Sequence, residues 1–123
     1  MPQSVRPFLM FEGCAEEALR FYVETFPDSA VDTLERYGAN QAGPEGSVKL
    51  ASFRVGGQAV MAIDSPAKYA FHFTPSFSFF VECGDEAELD SAFARLAAGG
   101  AVLMPPDNYG FSRKFTWITD RFG

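Results

Sequence analysis

The chain has 123 residues, of which 47% are hydrophobic and 21% charged, and its formal net charge is −6. These values are typical of one globular domain with a packed core and exclude a disordered or fibrous chain. The ten Lys and Arg residues are scattered along the sequence, which argues against nucleic acid or an anionic membrane as a partner, because both bind concentrated basic residues. There is no apolar stretch near the roughly 20 residues that span a bilayer and no signal-peptide pattern, so we expect a cytoplasmic protein.

The first predicted elements are a strand and an amphipathic helix. Phe8-Leu9-Met10-Phe11 is a short apolar run that predicts a buried strand. The helix that follows ends at Pro27, because proline cannot continue a helix. Its apolar side is formed by residues at the i, i+3, i+4 and i+7 positions, namely Leu19, Tyr22, Val23 and Phe26.

Two adjacent carboxylates, Glu16 and Glu17, lie in the first turn of this helix. Neighbouring helical residues point about 100° apart, so the two side chains cannot converge on one reacting atom. Their charge is favourable at the positive end of the helix dipole. Glu16 also precedes Arg20 by one turn, in the favourable orientation for an ion pair. We therefore interpret the pair as a helix start and not as an acid/base pair.

Three strands are predicted after the helix, over Ala30–Tyr37, Ser47–Val55 and Gln58–Ile63. The second of them alternates apolar and polar residues with a period of two, as a strand does. Gly56-Gly57, between the second and third strands, is a hairpin signal. The Gly-rich segment 38–46 is predicted to be a loop.

The second half repeats this order of elements. A Phe-rich strand is predicted over Pro75–Glu82, and Asp85 with Glu88 three residues later predicts a helix start of the capping-box type. Shorter strands are predicted over Ala101–Met104 and Ser112–Thr119. The apolar residues of the second helix repeat the spacing of the first about 70 positions later, at Leu89, Ala92, Phe93 and Leu96.

This duplication predicts an α+β fold made of two β-α-β-β-β modules, at about 5–66 and 73–123. We expect them to form a single domain with a curved mixed sheet around a cleft. We expect the final strand of the second module to be missing from this sequence, because it would lie beyond Gly123.

Six stretches between Pro7 and Gly123 carry a family resemblance: "PFLMFEGCAEEALRFYVETFPDS", "RYG", "GPEGSVKLASFRVGGQAV", "FHFTPSFSFFVEC", "DEAELD" and "YGFSRKFTWITDRFG". In this order and spacing they resemble the vicinal oxygen chelate superfamily, which includes glyoxalase I, fosfomycin- and bleomycin-resistance proteins and extradiol dioxygenases. Within it, the chain is similar to the PhnB-like family, often labelled 3-demethylubiquinone-9 3-methyltransferase. The resemblance implies a glyoxalase-like fold.

The methyltransferase label does not match the sequence. Most such enzymes bind S-adenosylmethionine on a doubly wound sheet, at a Gly-rich turn that opens a helix after a strand. The Gly-dense stretches here, "GANQAGPEG" and "GG", do not open a helix after a strand. We therefore give the label little weight.

The resemblance also implies four positions for ligands of a divalent metal. Three of them are occupied by Pro7, Ala62 and Ser76, and the fourth would lie beyond Gly123. Pro and Ala offer no side-chain ligand, and a Ser hydroxyl is a poor one. Asp64 and His72 could contribute to a site if the register differs. We expect no cofactor and no catalytic metal, with a metal-dependent enzyme as the alternative.

The predicted site lies on the face of the sheet that the helices leave open. On the Phe-rich strand, Ser76 and Ser78 share that face, and Asp64 is expected to face the same space. Phe53 and Trp117 are expected to form its walls. Apolar walls with a few polar groups are typical of small-molecule pockets. The alternative is that these residues fill a small core or a subunit interface.

We therefore expect a small-molecule-binding protein whose catalytic residues, if any, are unknown. The alternatives are a metal-dependent enzyme of the glyoxalase, dioxygenase or thiol-transferase type, and a purely structural dimer module. The resemblance implies a homodimer, with or without strands exchanged between chains. Cys14 and Cys83 are expected to be free thiols, as in a chain without a signal peptide.

Overall fold

The computed structural model describes residues 4–66, 73–74, 76–110 and 114–122. The chain divides into two compact units, 1–69 and 70–123. The first unit contains four strands and one helix, in the order β1 (Phe8–Phe11), α1 (Ala15–Thr25), β2 (Ala30–Arg36), β3 (Val48–Val55) and β4 (Gln58–Asp64). The predicted β-α-β-β-β order is confirmed here, with boundaries that differ by a few residues.

The four strands of the first unit form one curved mixed sheet in the order β1-β4-β3-β2. β1 runs parallel to β4, with Phe11 opposite Asp64, and the other two pairings are antiparallel. Gly56 and Gly57 have positive φ angles, as the tight turn between β3 and β4 requires. The predicted hairpin is therefore confirmed.

Burial alternates along the central strands of this sheet. On β4, Val60, Ala62 and Asp64 are buried, whereas the residues between them are half-buried. α1 buries Ala15, Ala18, Leu19 and Phe21. This apolar packing is the main source of stability for the first unit, because burial of apolar surface is the dominant favourable contribution to folding.

The second unit contains one helix and a two-stranded antiparallel hairpin, in the order α2 (Glu86–Ala97), β5 (Ala101–Asp107) and β6 (Phe115–Thr119). Asp85 caps α2, since its carboxylate accepts a hydrogen bond from the backbone N–H of Glu88 at 2.8 Å. The predicted helix start is confirmed. β5 continues past the predicted end at Met104 through two prolines, which a strand with one free edge tolerates.

The prediction of a strand over Pro75–Glu82 is wrong for residues 76–82, which form neither helix nor strand; Pro75 itself lies outside the described residues. In the first unit, β1 takes all its ladder hydrogen bonds from β4. Within the described part of the second unit, β5 and β6 pair with each other, and no strand stands in the place of β4. Among the described residues of the second unit, residues 76–82 therefore have no strand that could accept and donate ladder hydrogen bonds.

The buried side chains are distributed unequally between the two units. Among the described residues, every residue of the buried core lies in the first unit. Ten large apolar side chains among the described residues are exposed, and eight of these ten belong to the second unit. These eight are Phe77, Phe79, Phe80, Val81, Val102, Leu103, Tyr109 and Trp117.

Candidate functional site

Asp64 is a buried carboxylate that links three elements of the first unit. Its side chain is at the end of β4, and the residue is 2% exposed. Oδ1 accepts hydrogen bonds from the backbone N–H groups of Gly13 at 2.8 Å and Ala15 at 2.9 Å. Oδ2 accepts one from Val48 N–H at 2.9 Å. The carboxylate therefore joins β4 to the start of α1 and to the start of β3.

Phe53 and two of the positions implied for metal ligands, Pro7 and Ala62, are also in the first unit. Phe53 is 1% exposed and Ala62 is completely buried. The Pro7 carbonyl oxygen accepts the Met61 N–H at 2.9 Å, so this residue extends the pairing of β1 with β4. Phe53, Ala62 and Asp64 thus have core positions, without an open surface at which a ligand could contact them.

The second unit brings two of the predicted site residues together. The indole N–H of Trp117 donates a hydrogen bond to Ser78 Oγ at 3.3 Å. Ser76 lies nearby in the chain, and its hydroxyl is 2.5 Å from that of Thr74. Ser76, Ser78 and Trp117 are all exposed. His72 lies outside the described residues.

The β5–β6 hairpin has one face toward α2. Lys114 Nζ lies 2.6 Å from Asp90 Oδ1 of α2, and the same side of the strand continues through Thr116 and Ile118. Because side chains alternate along a strand, Phe115 and Trp117 lie on the face away from α2.

An aromatic row, defined as Tyr109, Phe115 and Trp117, lies on this open face. The rings of Tyr109 and Phe115 meet edge to face, with centroids 5.9 Å apart, a favoured geometry for aromatic pairs. Tyr109 and Trp117 are 37% and 36% exposed, and Met104 lies opposite Trp117 on β5.

Tyr109 and Phe115 were not predicted as site residues from the sequence. The alternation in "KFTWITD" places Phe115 on the same side as Trp117 and could have found it. Tyr109 lies in the loop between β5 and β6, where no periodicity applies.

The two cysteines do not form a reactive pair. Both are free and half-buried, which confirms the prediction of free thiols. Burial, followed by the charge of Asp64, raises the pKa of Cys14. Burial, followed by the charge of Glu88, raises the pKa of Cys83. Neither thiol therefore has the lowered pKa that activates a cysteine nucleophile.

The order of elements, the mixed sheet and the two helices define an α+β protein of the glyoxalase type. The chain belongs to the 3-demethylubiquinone-9 3-methyltransferase family, whose model matches residues 3–123. The PhnB-like resemblance is thereby confirmed.

Solved structures resemble this chain over almost its whole length. A PhnB protein from Bacillus cereus is 46% identical, with a TM-score of 0.95, over 98% of this chain and 94% of that one. Protein PA1353 from Pseudomonas aeruginosa is 26% identical, with a TM-score of 0.72, over 99% and 92% of the two chains. A protein from Staphylococcus aureus is 36% identical over 96% and 87%, with a TM-score of 0.43.

No curated protein matches the chain. Within the described ranges, neither helix is long and apolar enough to cross a membrane.

The described residues do not fit the groups that the superfamily and the family name imply. For a divalent metal, both oxygens of Asp64 are already engaged by backbone N–H groups, and the described part of the chain holds no cluster of three His, Cys, Asp or Glu side chains. For S-adenosylmethionine, the turn that opens α1 directs its N–H groups at Asp64, so they are not available to a ligand.

Proposed function

We propose that the protein binds a small molecule, without a catalytic metal, on the largely apolar open face of the β5–β6 hairpin. The site consists of the aromatic row together with Ser76 and Ser78. Support comes from the hydrogen bond between Trp117 and Ser78, which holds an exposed indole ring beside a hydroxyl group. Apolar walls with a small number of fixed polar groups are the usual composition of ligand sites.

The predicted residues Phe53 and Asp64 are not included in this proposal. Their burial and hydrogen bonds support structural roles, and the occupied carboxylate of Asp64 also disfavours the metal-dependent alternative. A ligand at Trp117 needs no change in the core of the first unit.

A thermal-shift screen with neutral aromatic fragments tests the proposal, because a ligand of the native state raises the melting temperature by mass action. Fragments that stabilise the wild type should lose their effect in Trp117→Ala. Phe8→Ala is the matched control, since Phe8 is an exposed aromatic residue of the first unit, at 61%. Fragments that stabilise wild type and Trp117→Ala equally would place the site elsewhere.

A second candidate, self-association through the second unit, is favoured by the distribution of exposed apolar side chains. Large exposed apolar patches mark interaction sites. Among its described residues, the second unit has eight exposed large apolar side chains and no buried core. We propose a homodimer in which this surface is covered by a second copy.

Light scattering after size-exclusion chromatography tests self-association. We expect the mass of a dimer for the wild type and a shift toward monomer for Phe80→Glu, because Phe80 is 76% exposed. Val5→Glu, at an exposed apolar position of the first unit, should leave the dimer intact. A wild-type monomer at micromolar concentration would contradict this candidate.

A further inference from the structure

We propose that the ligand of the aromatic row is a flat aromatic molecule with a neutral acceptor oxygen, such as a ketone, ester or amide, and that Ser78 donates a hydrogen bond to this oxygen. The inference rests on the proposed function, since it names the chemistry of the molecule bound at that site.

The direction of the Trp117–Ser78 hydrogen bond carries the argument. An indole N–H is a donor only, so Ser78 Oγ must be the acceptor in this contact. The hydroxyl proton of Ser78 then points away from Trp117. Among the described residues, no acceptor lies within hydrogen-bond distance of that proton. Because Ser78 is exposed, its hydroxyl can donate to a ligand that covers the indole.

The hydroxyl of Tyr109 is already engaged. It donates to the carbonyl oxygen of Pro105 at 2.6 Å, and the indole N–H of Trp117 is engaged by Ser78. The polar hydrogens of the row are therefore directed within the protein. The three aromatic side chains contribute apolar ring surface to the site, which favours a flat aromatic body because aromatic pairs stack or meet edge to face.

The charge beside the row favours a neutral acceptor. Asp107 lies opposite Phe115 in the β5–β6 register, after an irregularity that follows Met104, and its carboxylate accepts a hydrogen bond from the Asn108 N–H at 2.7 Å. The carboxylate of Asp107 would repel an anionic ligand in the row. A ketone, ester or amide oxygen accepts the Ser78 proton without that repulsion. A carboxylate could also accept the proton, but the negative charge of Asp107 would repel it.

A matched pair of probes tests the proposal. 2-Acetylnaphthalene and 2-ethylnaphthalene have nearly the same shape and differ in the carbonyl oxygen. Trp117 is the sole tryptophan, so the protein has a single indole N–H signal in a ¹H–¹⁵N spectrum, and titration of that signal gives both affinities. We expect 2-acetylnaphthalene to bind about 2- to 10-fold more tightly, the factor that one net hydrogen bond supplies.

Ser78→Ala should remove this difference, so that the two naphthalenes bind the variant with the same affinity, because the variant has no hydroxyl to donate to the carbonyl oxygen. The anionic analogue naphthalene-2-carboxylate should bind the wild type more weakly than 2-acetylnaphthalene. The backbone amide signals of the variant report whether it remains folded.

The outcomes separate the two proposals. Equal affinities of the wild type for the acetyl and ethyl probes, or a difference that persists in Ser78→Ala, would overturn the assignment of Ser78 while the binding site stands. Tighter binding of the carboxylate would overturn the neutral acceptor. If neither naphthalene shifts the indole signal, the proposed function fails together with the inference.

Discussion

At the scale of single residues, one side chain performs the capping role that the local sequence lacks. The residue before α1 is Cys14, whose side chain makes no capping hydrogen bond. The carboxylate of Asp64 accepts the Gly13 and Ala15 N–H groups instead. It thus satisfies the buried Ala15 N–H and the part-buried Gly13 N–H at the start of the helix.

Replacement of Asp64 by Ala should be strongly destabilising. Three backbone N–H groups would lose their acceptor; those of Ala15 and Val48 are buried, and each buried donor without a partner costs about 1–3 kcal/mol. We expect the free energy of unfolding in urea to fall by about 3–5 kcal/mol, with a smaller loss for Asp64→Asn, which retains one acceptor oxygen.

The control for this prediction is Asp32→Ala. Asp32 is an exposed residue of β2 whose carboxylate lies 3.3 Å from Arg54, and its loss should change the free energy of unfolding by no more than about 0.5 kcal/mol. Similar losses for Asp32→Ala and Asp64→Ala would show that the three backbone contacts do not stabilise the fold.

Glu16 should make the free energy of unfolding depend on pH in the acid range. Hydrogen bonding to Arg36, with a further contribution from Arg20, lowers the pKa of Glu16 from its ordinary value of 4.5 to about 2. Because the folded pKa is the lower one, the stabilisation by ionised Glu16 is complete above pH 4.5 and is lost as the pH falls toward 2. The urea stability of the wild type should therefore exceed that of Glu16→Gln at pH 7, and the difference should vanish near pH 2. A difference that stays constant over this range would contradict the prediction.

At the scale of elements, the two helices begin in different ways. α2 starts at Asp85, whose own side chain caps the helix, and that signal is visible in the sequence. α1 is capped from β4, about 50 residues later in the chain. A capping residue close in sequence can be predicted from spacing, whereas one supplied by a distant strand depends on the sheet order.

The connection from α2 to β5 depends on a close backbone approach at Gly100. A Cβ atom added there would overlap the Thr119 carbonyl oxygen and lie 2.8 Å from the Asp120 Cα. Gly100→Ala should therefore lower the free energy of unfolding by about 1–3 kcal/mol, as overpacking does.

Gly84→Ala is the control for Gly100. The atom nearest to a Cβ added at Gly84 is Glu88 Oε2, at an ordinary 3.8 Å. The melting temperature should therefore fall less for Gly84→Ala than for Gly100→Ala. An equal effect of the two substitutions would show that the close approach to Thr119 is not the cause.

At the scale of the whole molecule, the buried core lies in the first unit and the exposed apolar surface lies mainly in the second, within the part of the chain that the structure describes. Segments with few buried apolar contacts open at a low free-energy cost. The second unit should therefore be the less stable part of the molecule when its surface is uncovered.

Amide hydrogen exchange on dilute protein measures this difference directly. We expect strong protection in α1, β3 and β4, and weaker protection in α2, β5 and β6. The two units are compared within one sample, so the conditions are identical. Equal protection in both units would contradict the prediction. Protection of α2, β5 and β6 that rises with protein concentration would support self-association.

Hydrophobic periodicity, together with turn and capping residues, was enough to predict four features of the fold. These are the α+β class, the β-α-β-β-β order of the first unit, the Gly56-Gly57 hairpin and the cap at Asp85. These features depend on local alternation, turn chemistry and capping, which act over a few residues. Ser78 was placed in the site by strand alternation, but its segment forms no strand, so its hydrogen bond with Trp117 does not arise from that alternation. Tyr109 was missed because it lies in a loop.

The tertiary structure decided which of these local patterns could be realised. Residues 76–82 alternate as a strand does but form none, because a strand requires a hydrogen-bonding neighbour that the local sequence does not supply. Asp64 and Phe53 have the residue types of a site but are buried, since their exposure depends on the elements that pack over them. The sequence by itself therefore determined the elements and their order, whereas strand pairing, burial and the capping of α1 by Asp64 required contacts between distant residues.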